Sequence, residues 1–189
     1  MNGKKKYLVD NYQESIQDLG DDIIKVKLFT KEFCKEVLKH TNNGKWSKGG
    51  NSYYDERIGN TENHPTQDIH LNEIKLESMW KFVCDTFISK IVYNIFKYNT
   101  NGINISFIVK YDLKIQKELN PHHDSSAYTV NVCLNDEFEG GGCHFIRKNK
   151  TIINKDIGSL IIHPGRVTHY HKGLPITDGE RFILVSFVN

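Results

Sequence analysis

Hydrophobic positions change their period once along the chain. Over residues 76–98, Leu76, Met79, Trp80, Val83, Phe87, Ile91 and Ile95 recur every three or four residues, with Lys81, Asp85, Lys90 and Lys97 off that stripe. This spacing predicts one amphipathic helix, ended by Asn101-Gly102 and buttressing the back of a sheet. Beyond it, short β-branched and aromatic runs between Gly and Pro turns predict strands near 103–111, 126–134, 142–147, 157–163, 166–172 and 181–188. Upstream, residues 23–29 alternate in part and predict a first strand. Thr30 is placed to cap a helix to about His40, with Phe33, Val37 and Leu38 on its apolar side. Residues 1–22 lack any period and read as a tail or linker, leaving 23–189 as the domain. The expected class is α+β, mainly β: a jelly-roll (double-stranded β-helix) core, a long buttressing helix and an N-terminal helical and loop segment.

The loop-rich stretch 41–70 is long for a compact domain, which marks it as functional or disordered. Trp46, Tyr53, Tyr54, Asp55 and Arg57 make it a candidate wall for a substrate; the equal alternative is that Trp46 packs the loop down.

The chemistry concentrates in the strand-rich half. His122 and Asp124 stand two residues apart just before a predicted strand, so in extended chain both side chains point to one side. His171 follows about 50 residues later. Two imidazoles and one carboxylate with open coordination positions are the ligand set of non-haem Fe(II) oxygenases. By spacing alone His169 serves as the distal ligand as well as His171. Arg181 lies ten residues after His171. If a hairpin joins them, with 173–179 as its turn, both face one interior, where a guanidinium can bind a carboxylate through two parallel hydrogen bonds. That suits 2-oxoglutarate, whose other end chelates the metal and leaves a position for O2.

Singly, each residue has an ordinary role: His122 in a loop, Asp124 as a cap, His171 and Arg181 on strand surfaces, Tyr111 at an amphipathic core edge. The ordered set is what argues for a site. His123, His144 and His163 exceed its needs and read as supporting donors, surface residues or a second, weaker metal site. Gly140-Gly141-Gly142 permits an irregular turn or close backbone approach. It is not a phosphate loop, since its flanks are strand-like and no Gly-Lys-Ser/Thr follows.

Several segments together resemble the C-terminal catalytic domain of the procollagen-lysine 5-dioxygenases, the collagen lysyl hydroxylases. They are Phe107-Ile108-Val109-Lys110-Tyr111, Pro121-His122-His123-Asp124-Ser125-Ser126, Phe138-Glu139-Gly140-Gly141-Gly142-Cys143, His163-Pro164-Gly165-Arg166, Thr168-His169-Tyr170-His171-Lys172-Gly173-Leu174-Pro175 and the stretch 181–187. Trp46-Ser47 and the stretch 64–70 join them, and the likeness runs from about Ile23 to the end. It implies Fe(II), 2-oxoglutarate, O2 and ascorbate, and hydroxylation of lysine C5 in collagen-like Gly-X-Lys-Gly segments with succinate and CO2 as coproducts. It implies His122, Asp124 and His171 as metal ligands, so favouring His171 over His169, and Arg181, Tyr111 and Asn131 as contacts of 2-oxoglutarate. It further implies a homodimer involving the segment around 127–170, and the endoplasmic reticulum lumen or membrane surface. Asp55, Glu56 and Asp68 all offer a carboxylate for the lysine ammonium. The family carries a further cysteine, a partner for the Cys34 position, where this chain has Lys150. The same chemistry on peptidyl proline is the runner-up, and a non-catalytic β-sandwich interaction module is the alternative of another class. A zinc hydrolase lacks an evident base near the motif and leaves Arg181 unexplained.

Composition narrows the classes. The 189 residues make one domain the default. With 25 basic and 23 acidic residues, the net charge of +2 gives no nucleic-acid footprint. No apolar run approaches the roughly 20 residues of a membrane span. Residues 1–10 are polar and basic, without the apolar centre of a secretory signal. Four cysteines show no Cys-x-x-Cys pairing. Cys84 and Cys133 are expected as buried thiols, a pattern that permits a reducing compartment.

Overall fold

A computed structural model describes residues 4–48, 54–55, 60–61 and 66–189. Its strands are β1 (Gln17–Asp18), β2 (Ile24–Lys27), β3 (Tyr54–Asp55), β4 (Asn60–Thr61), β5 (Asp68–His70), β6 (Ile103–Tyr111), β7 (Leu119–His122) and β8 (Tyr128–Cys133). They continue with β9 (Phe138–Gly140), β10 (Cys143–Phe145), β11 (Lys150–Ile152), β12 (Ser159–Pro164), β13 (His171–Gly173), β14 (Ile176–Gly179) and β15 (Arg181–Val188). A seven-stranded sheet in the order β1-β2-β12-β8-β15-β6-β5 stands with a four-stranded sheet in the order β11-β10-β13-β7, and β14 pairs with β9. The pairings are antiparallel, as the jelly-roll expectation requires.

The two faces of the large sheet have different tasks. Its outward side chains, among them Val130, Val132, Leu160, Ile162 and Leu184, are buried in one apolar cluster with the helices. After a single helical turn, α1 (Lys4–Tyr7), helix α2 (Lys31–His40) starts where its N-cap was expected, Thr30 accepting the Phe33 N–H. The long helix runs as α3 (Glu77–Val83), a π-helical turn (Cys84–Ile88) and α4 (Ser89–Phe96). The π turn holds an extra residue, which rotates the buried face. Cys84, Ile88 and Val92 are therefore buried beside Trp80, Val83 and Ile91, while Phe87 and Ile95 are only partly so. Trp80 fastens helix to sheet, its indole N–H donating to Ser186 Oγ at 2.6 Å. Lys97 in the left-handed conformation (φ 55°) ends the helix, four residues before the expected Asn101-Gly102.

Three other expectations are corrected. Within 1–22, residues 7–18 are not simply a tail: β1 pairs with β2, Val9 N–H donates to the Leu28 carbonyl at 2.9 Å, and Tyr7, Leu8, Tyr12 and Ile16 pack on the core. Isolated apolar residues docked by tertiary contact leave no period to detect. The strand expected over 166–172 shrinks to β13, because Val167 takes a positive φ of 62° in a turn. Strands β5, β7, β9, β11 and β14 escaped prediction, being three or four residues long and held by their partners rather than by propensity.

Trp46 packs on the outward-facing Phe182, ring centroids 5.9 Å apart, so it holds its loop against the core. Of the wall residues named with it, Tyr53 and Arg57 lie outside the described residues, as does Glu56.

Candidate functional site

The inward face of the large sheet and the small sheet opposite enclose a cavity of about 300 Å³. His122, the last residue of β7, and His171, the first of β13, are directly opposed across the small sheet. Asp124, two residues beyond β7, completes the group: one ligand atom from each of the three lies within 4.8 Å of the others. His122 Nε2 is 3.2 Å from one Asp124 carboxylate oxygen and His171 Nε2 is 3.7 Å from the other. Among the described histidines, these two supply the imidazoles that converge on a carboxylate.

Both rings have their orientation set from behind. His122 Nδ1 lies 2.7 Å from the Asn120 carbonyl and His171 Nδ1 2.8 Å from the His169 carbonyl. A carbonyl only accepts, so each Nδ1 carries a proton, and Nε2 is the nitrogen that each ring turns to the centre. Thr129 Oγ1 donates to Asp124 Oδ2 at 2.6 Å. Sequence reasoning passed over Thr129; its inward position early in β8, beside the acid, was the available signal.

Electrostatics keep the acid ionised. Burial pushes the Asp124 carboxyl up, but the hydrogen bond from His122 and the charges of His171, His163 and His122 outweigh it and hold it well below the usual range. Burial presses His122 down, yet the Asp124 hydrogen bond and charge bring it above its ordinary value. In His171 burial prevails and lowers it. Two imidazole nitrogens and an ionised carboxylate on one side of a cavity are a donor set that fits Fe(II).

His169 does not join this group: its Nε2 meets the Asp21 carbonyl at 2.8 Å. His163 is fully buried against His171, ring centroids 5.1 Å apart, and is pushed down to about 3, first by burial and then by the charge of His171. His123 Nε2 meets the Val167 carbonyl and His144 Nδ1 meets Thr151 Oγ1. The surplus histidines thus have separate partners, and the described residues hold no second metal cluster.

Arg181 opens β15 opposite Tyr111, at the end of β6. It is 92% buried, its guanidinium 5.2 Å from the Tyr111 ring centre and 5.8 Å from that of Phe138. Among the described residues no carboxylate pairs with it. A buried, unpaired cation facing a cavity calls for an anionic ligand. Gly141 explains part of the glycine run: at φ +71°, a Cβ there would stand 3.2 Å from Arg181 Cδ. Tyr111 is a buried phenol, pushed up to about 12 by burial against the opposing Arg181 charge. Asn131 also lines the cavity, its amide 3.4 Å from His163 Nε2.

The hairpin expected between His171 and Arg181 does not form. His171 belongs to the small sheet and Arg181 to the large one, and 176–179 form a strand with 138–140 instead of a turn. The cysteines carry no disulfide: Cys34 and Cys133 are buried thiols raised to about 12 and 11, chiefly by burial. Lys150 pairs with Asp21 at 2.7 Å.

No protein-family model matches the chain. It is 43% identical over 98% of its length to a procollagen lysyl hydroxylase and glycosyltransferase of Acanthamoeba polyphaga mimivirus, covering 22% of that protein. It is 37% identical, again over 98% of its length, to human procollagen-lysine,2-oxoglutarate 5-dioxygenase 2, covering 27% of it. The chain thus spans about a quarter of the length of these relatives. Among solved structures, a 2OG-Fe(II) oxygenase family oxidoreductase from Burkholderia pseudomallei superposes with a TM-score of 0.64 at 14% identity, over 89% of this chain and 85% of that one. A viral collagen prolyl hydroxylase from Paramecium Bursaria Chlorella virus-1 superposes with a TM-score of 0.57 at 16% identity, over 89% and 96%. These two likenesses establish the shared fold.

Proposed function

Because this chain is homologous over 98% of its residues to a segment of the procollagen-lysine 2-oxoglutarate 5-dioxygenases, we propose that it is an Fe(II)- and 2-oxoglutarate-dependent dioxygenase. Its substrate in this reading is peptidyl lysine, hydroxylated at C5 in collagen-like Gly-X-Lys-Gly segments. The observation that carries it is the convergence of His122, Asp124 and His171 in the cavity that also holds unpaired, buried Arg181.

His122 and His171 hold Fe(II) through Nε2 and Asp124 through a carboxylate oxygen. Arg181 binds the distal carboxylate of 2-oxoglutarate, and Tyr111 and Asn131 donate hydrogen bonds to the same cosubstrate. The bound iron and 2-oxoglutarate supply the oxidative chemistry, consuming O2 and releasing succinate and CO2 as one oxygen atom enters the lysine C–H bond. The protein's own groups keep that chemistry ordered. The Asn120 and His169 carbonyls hold the imidazoles in the ligating tautomer, and Thr129 holds one Asp124 oxygen. The apolar side chains of Val109, Ile183 and Val185 exclude water around Arg181, which strengthens its pairing with a carboxylate.

Ascorbate belongs to this reading as the reductant that restores iron oxidised in unproductive turnovers. So does a homodimer formed through the segment around 127–170, where Ile146, Ile153 and Val167 are exposed.

The test is a panel of collagen-like peptides incubated with the protein, Fe(II), 2-oxoglutarate and ascorbate in air. The expected result is one added oxygen on lysine, by mass spectrometry, matched by succinate. Oxygen on proline and none on lysine would displace the substrate, and absence of succinate from every mixture would overturn the enzymatic reading.

A further inference from the structure

Beside the central cavity runs a shallow groove of about 500 Å³, lined among the described residues by His123, Asp124, Ser125, Arg147, Arg166 and Val167. His123, Asp124 and Ser125 also line the central cavity, so the two spaces adjoin at the metal-facing acid. The lip of the groove is the turn after β12. It is tied to the chain just beyond Asp124, Gly165 N–H donating to the Ala127 carbonyl and Arg166 N–H to the Ser126 carbonyl, each at 3.0 Å.

Val167 stands on this lip in a strained conformation. Its φ of 62° is one that β-branched residues rarely adopt, because Cβ then crowds the following carbonyl oxygen. Two donors fix it there: Arg147 Nη1 reaches the Val167 carbonyl at 2.6 Å and His123 Nε2 at 3.0 Å. The side chain is left 71% exposed. Strained backbone of this kind concentrates where ligands are held, and here it presents an isopropyl group to solvent beside the metal-facing acid. Arg147 and Arg166 are exposed in the same groove, and among the described residues no carboxylate pairs with either.

Donors beside exposed methyl groups fit one kind of chain well. A polyproline II strand makes no hydrogen bonds within itself, so its carbonyls stay open, and its prolines bring apolar rings and no N–H. A guanidinium donates and never accepts. We infer that this groove holds the residues flanking the acceptor lysine of a collagen-like chain, with Arg147 and Arg166 donating to its open carbonyls and Val167 packing on its proline rings. The inference rests on the lysyl hydroxylase reading and adds to it a contact region outside the central cavity, which reads the chain around the lysine rather than the lysine itself. A second copy of this protein is the other candidate to cover Val167, and the experiment separates the two.

The experiment compares an end-blocked Gly-Pro-Lys-Gly tetrapeptide with the same four residues set within a run of Gly-Pro-Pro triplets, on wild type, Val167→Asn, Val167→Leu and Arg166→Ala. Binding is measured by calorimetry without metal, and kcat and KM by oxygen incorporation with Fe(II) and 2-oxoglutarate. Asparagine accepts the left-handed conformation, so Val167→Asn removes the methyl groups while its thermal midpoint should hold or rise. Taking the ratio of the two peptides within each protein cancels any general loss of competence, since a merely structural change weakens both alike. Wild type is expected to bind the flanked peptide at least tenfold more tightly than the tetrapeptide. In Val167→Asn and in Arg166→Ala that ratio should fall by roughly threefold or more, the loss lying in KM rather than kcat, and Val167→Leu should keep most of it. An undiminished ratio in folded Val167→Asn and Arg166→Ala overturns the groove assignment alone. Dissociation of a wild-type dimer in Val167→Asn, followed by sedimentation, gives Val167 to the contact between copies and also overturns it. A wild type that hydroxylates no lysyl peptide overturns the functional reading, and this inference falls with it.

Discussion

His171 and Arg181 are ten residues apart in the chain and face one cavity from opposite sheets. His171 is set by its pairing with His122 across the small sheet, and Arg181 by its pairing with Tyr111 in the large one. Their meeting depends on the packing of two layers, so substitutions at the two positions should produce separable defects.

Asp124→Ala removes the carboxylate between the two imidazoles. Fe(II)-dependent succinate formation should fall to background while circular dichroism keeps the wild-type spectrum. Equal succinate from both proteins would remove Asp124 from the site.

Arg181→Ala should raise the 2-oxoglutarate concentration needed for half-maximal turnover by at least tenfold, or about 1.4 kcal/mol, as expected on losing a buried cation from a carboxylate pair. Arg181→Lys should recover only part, since an ammonium does not reproduce the two-pronged contact. Unchanged kinetics in this cosubstrate would refute the anchoring role.

Thr129→Val replaces the hydroxyl that donates to Asp124 Oδ2 with a methyl of similar shape. Fe(II) affinity, followed by anaerobic titration, should weaken by about 10- to 100-fold, the usual effect of removing a group that supports a ligand. An unaltered titration would make that hydrogen bond purely structural.

Acid should destabilise the metal-free protein in two stages. The His163 pKa is lowered to about 3 in the fold, so between its unfolded value near 6.5 and about 3 the unfolded chain binds the extra proton and stability falls with pH. Asp124, also lowered, adds a loss below about pH 4. His122 is raised and works in the opposite sense, its stabilisation being lost as pH rises through its folded value. Urea midpoints measured across pH should therefore decline below about 6.5, and His163→Gln should flatten the upper part of that decline.

Trp80→Phe breaks the indole bond to Ser186 and leaves space under the long helix. A loss of about 2–3 kcal/mol is expected in urea unfolding, combining an unmet buried hydroxyl partner with a small cavity. Ser186 retains Ser106 Oγ at 2.7 Å, which keeps the loss from being larger.

Much of this is legible in the amino-acid sequence. The 3.6-residue stripe located the long helix, Thr30 its shorter neighbour, and β-rich runs the strands Ile103–Tyr111 and Arg181–Val188 to the residue. Local pattern missed the π turn, because one added residue alters the buried face without changing composition. It missed the shortest strands and the docked residues 7–22, because their order comes from distant partners.

The sequence by itself determined the chemistry on offer: two histidines, an aspartate and an arginine, in an order and among motifs that resemble one family. It could not choose between His169 and His171, because residues two apart on a strand share a side. The tertiary structure separates them, giving His169 the Asp21 carbonyl and aiming His171 at Asp124. It also replaced the supposed hairpin with two facing sheets, brought Thr129 to Asp124 and placed Asp68 on the cavity lining. Direction and layer packing are properties of the whole fold, and linear spacing does not contain them.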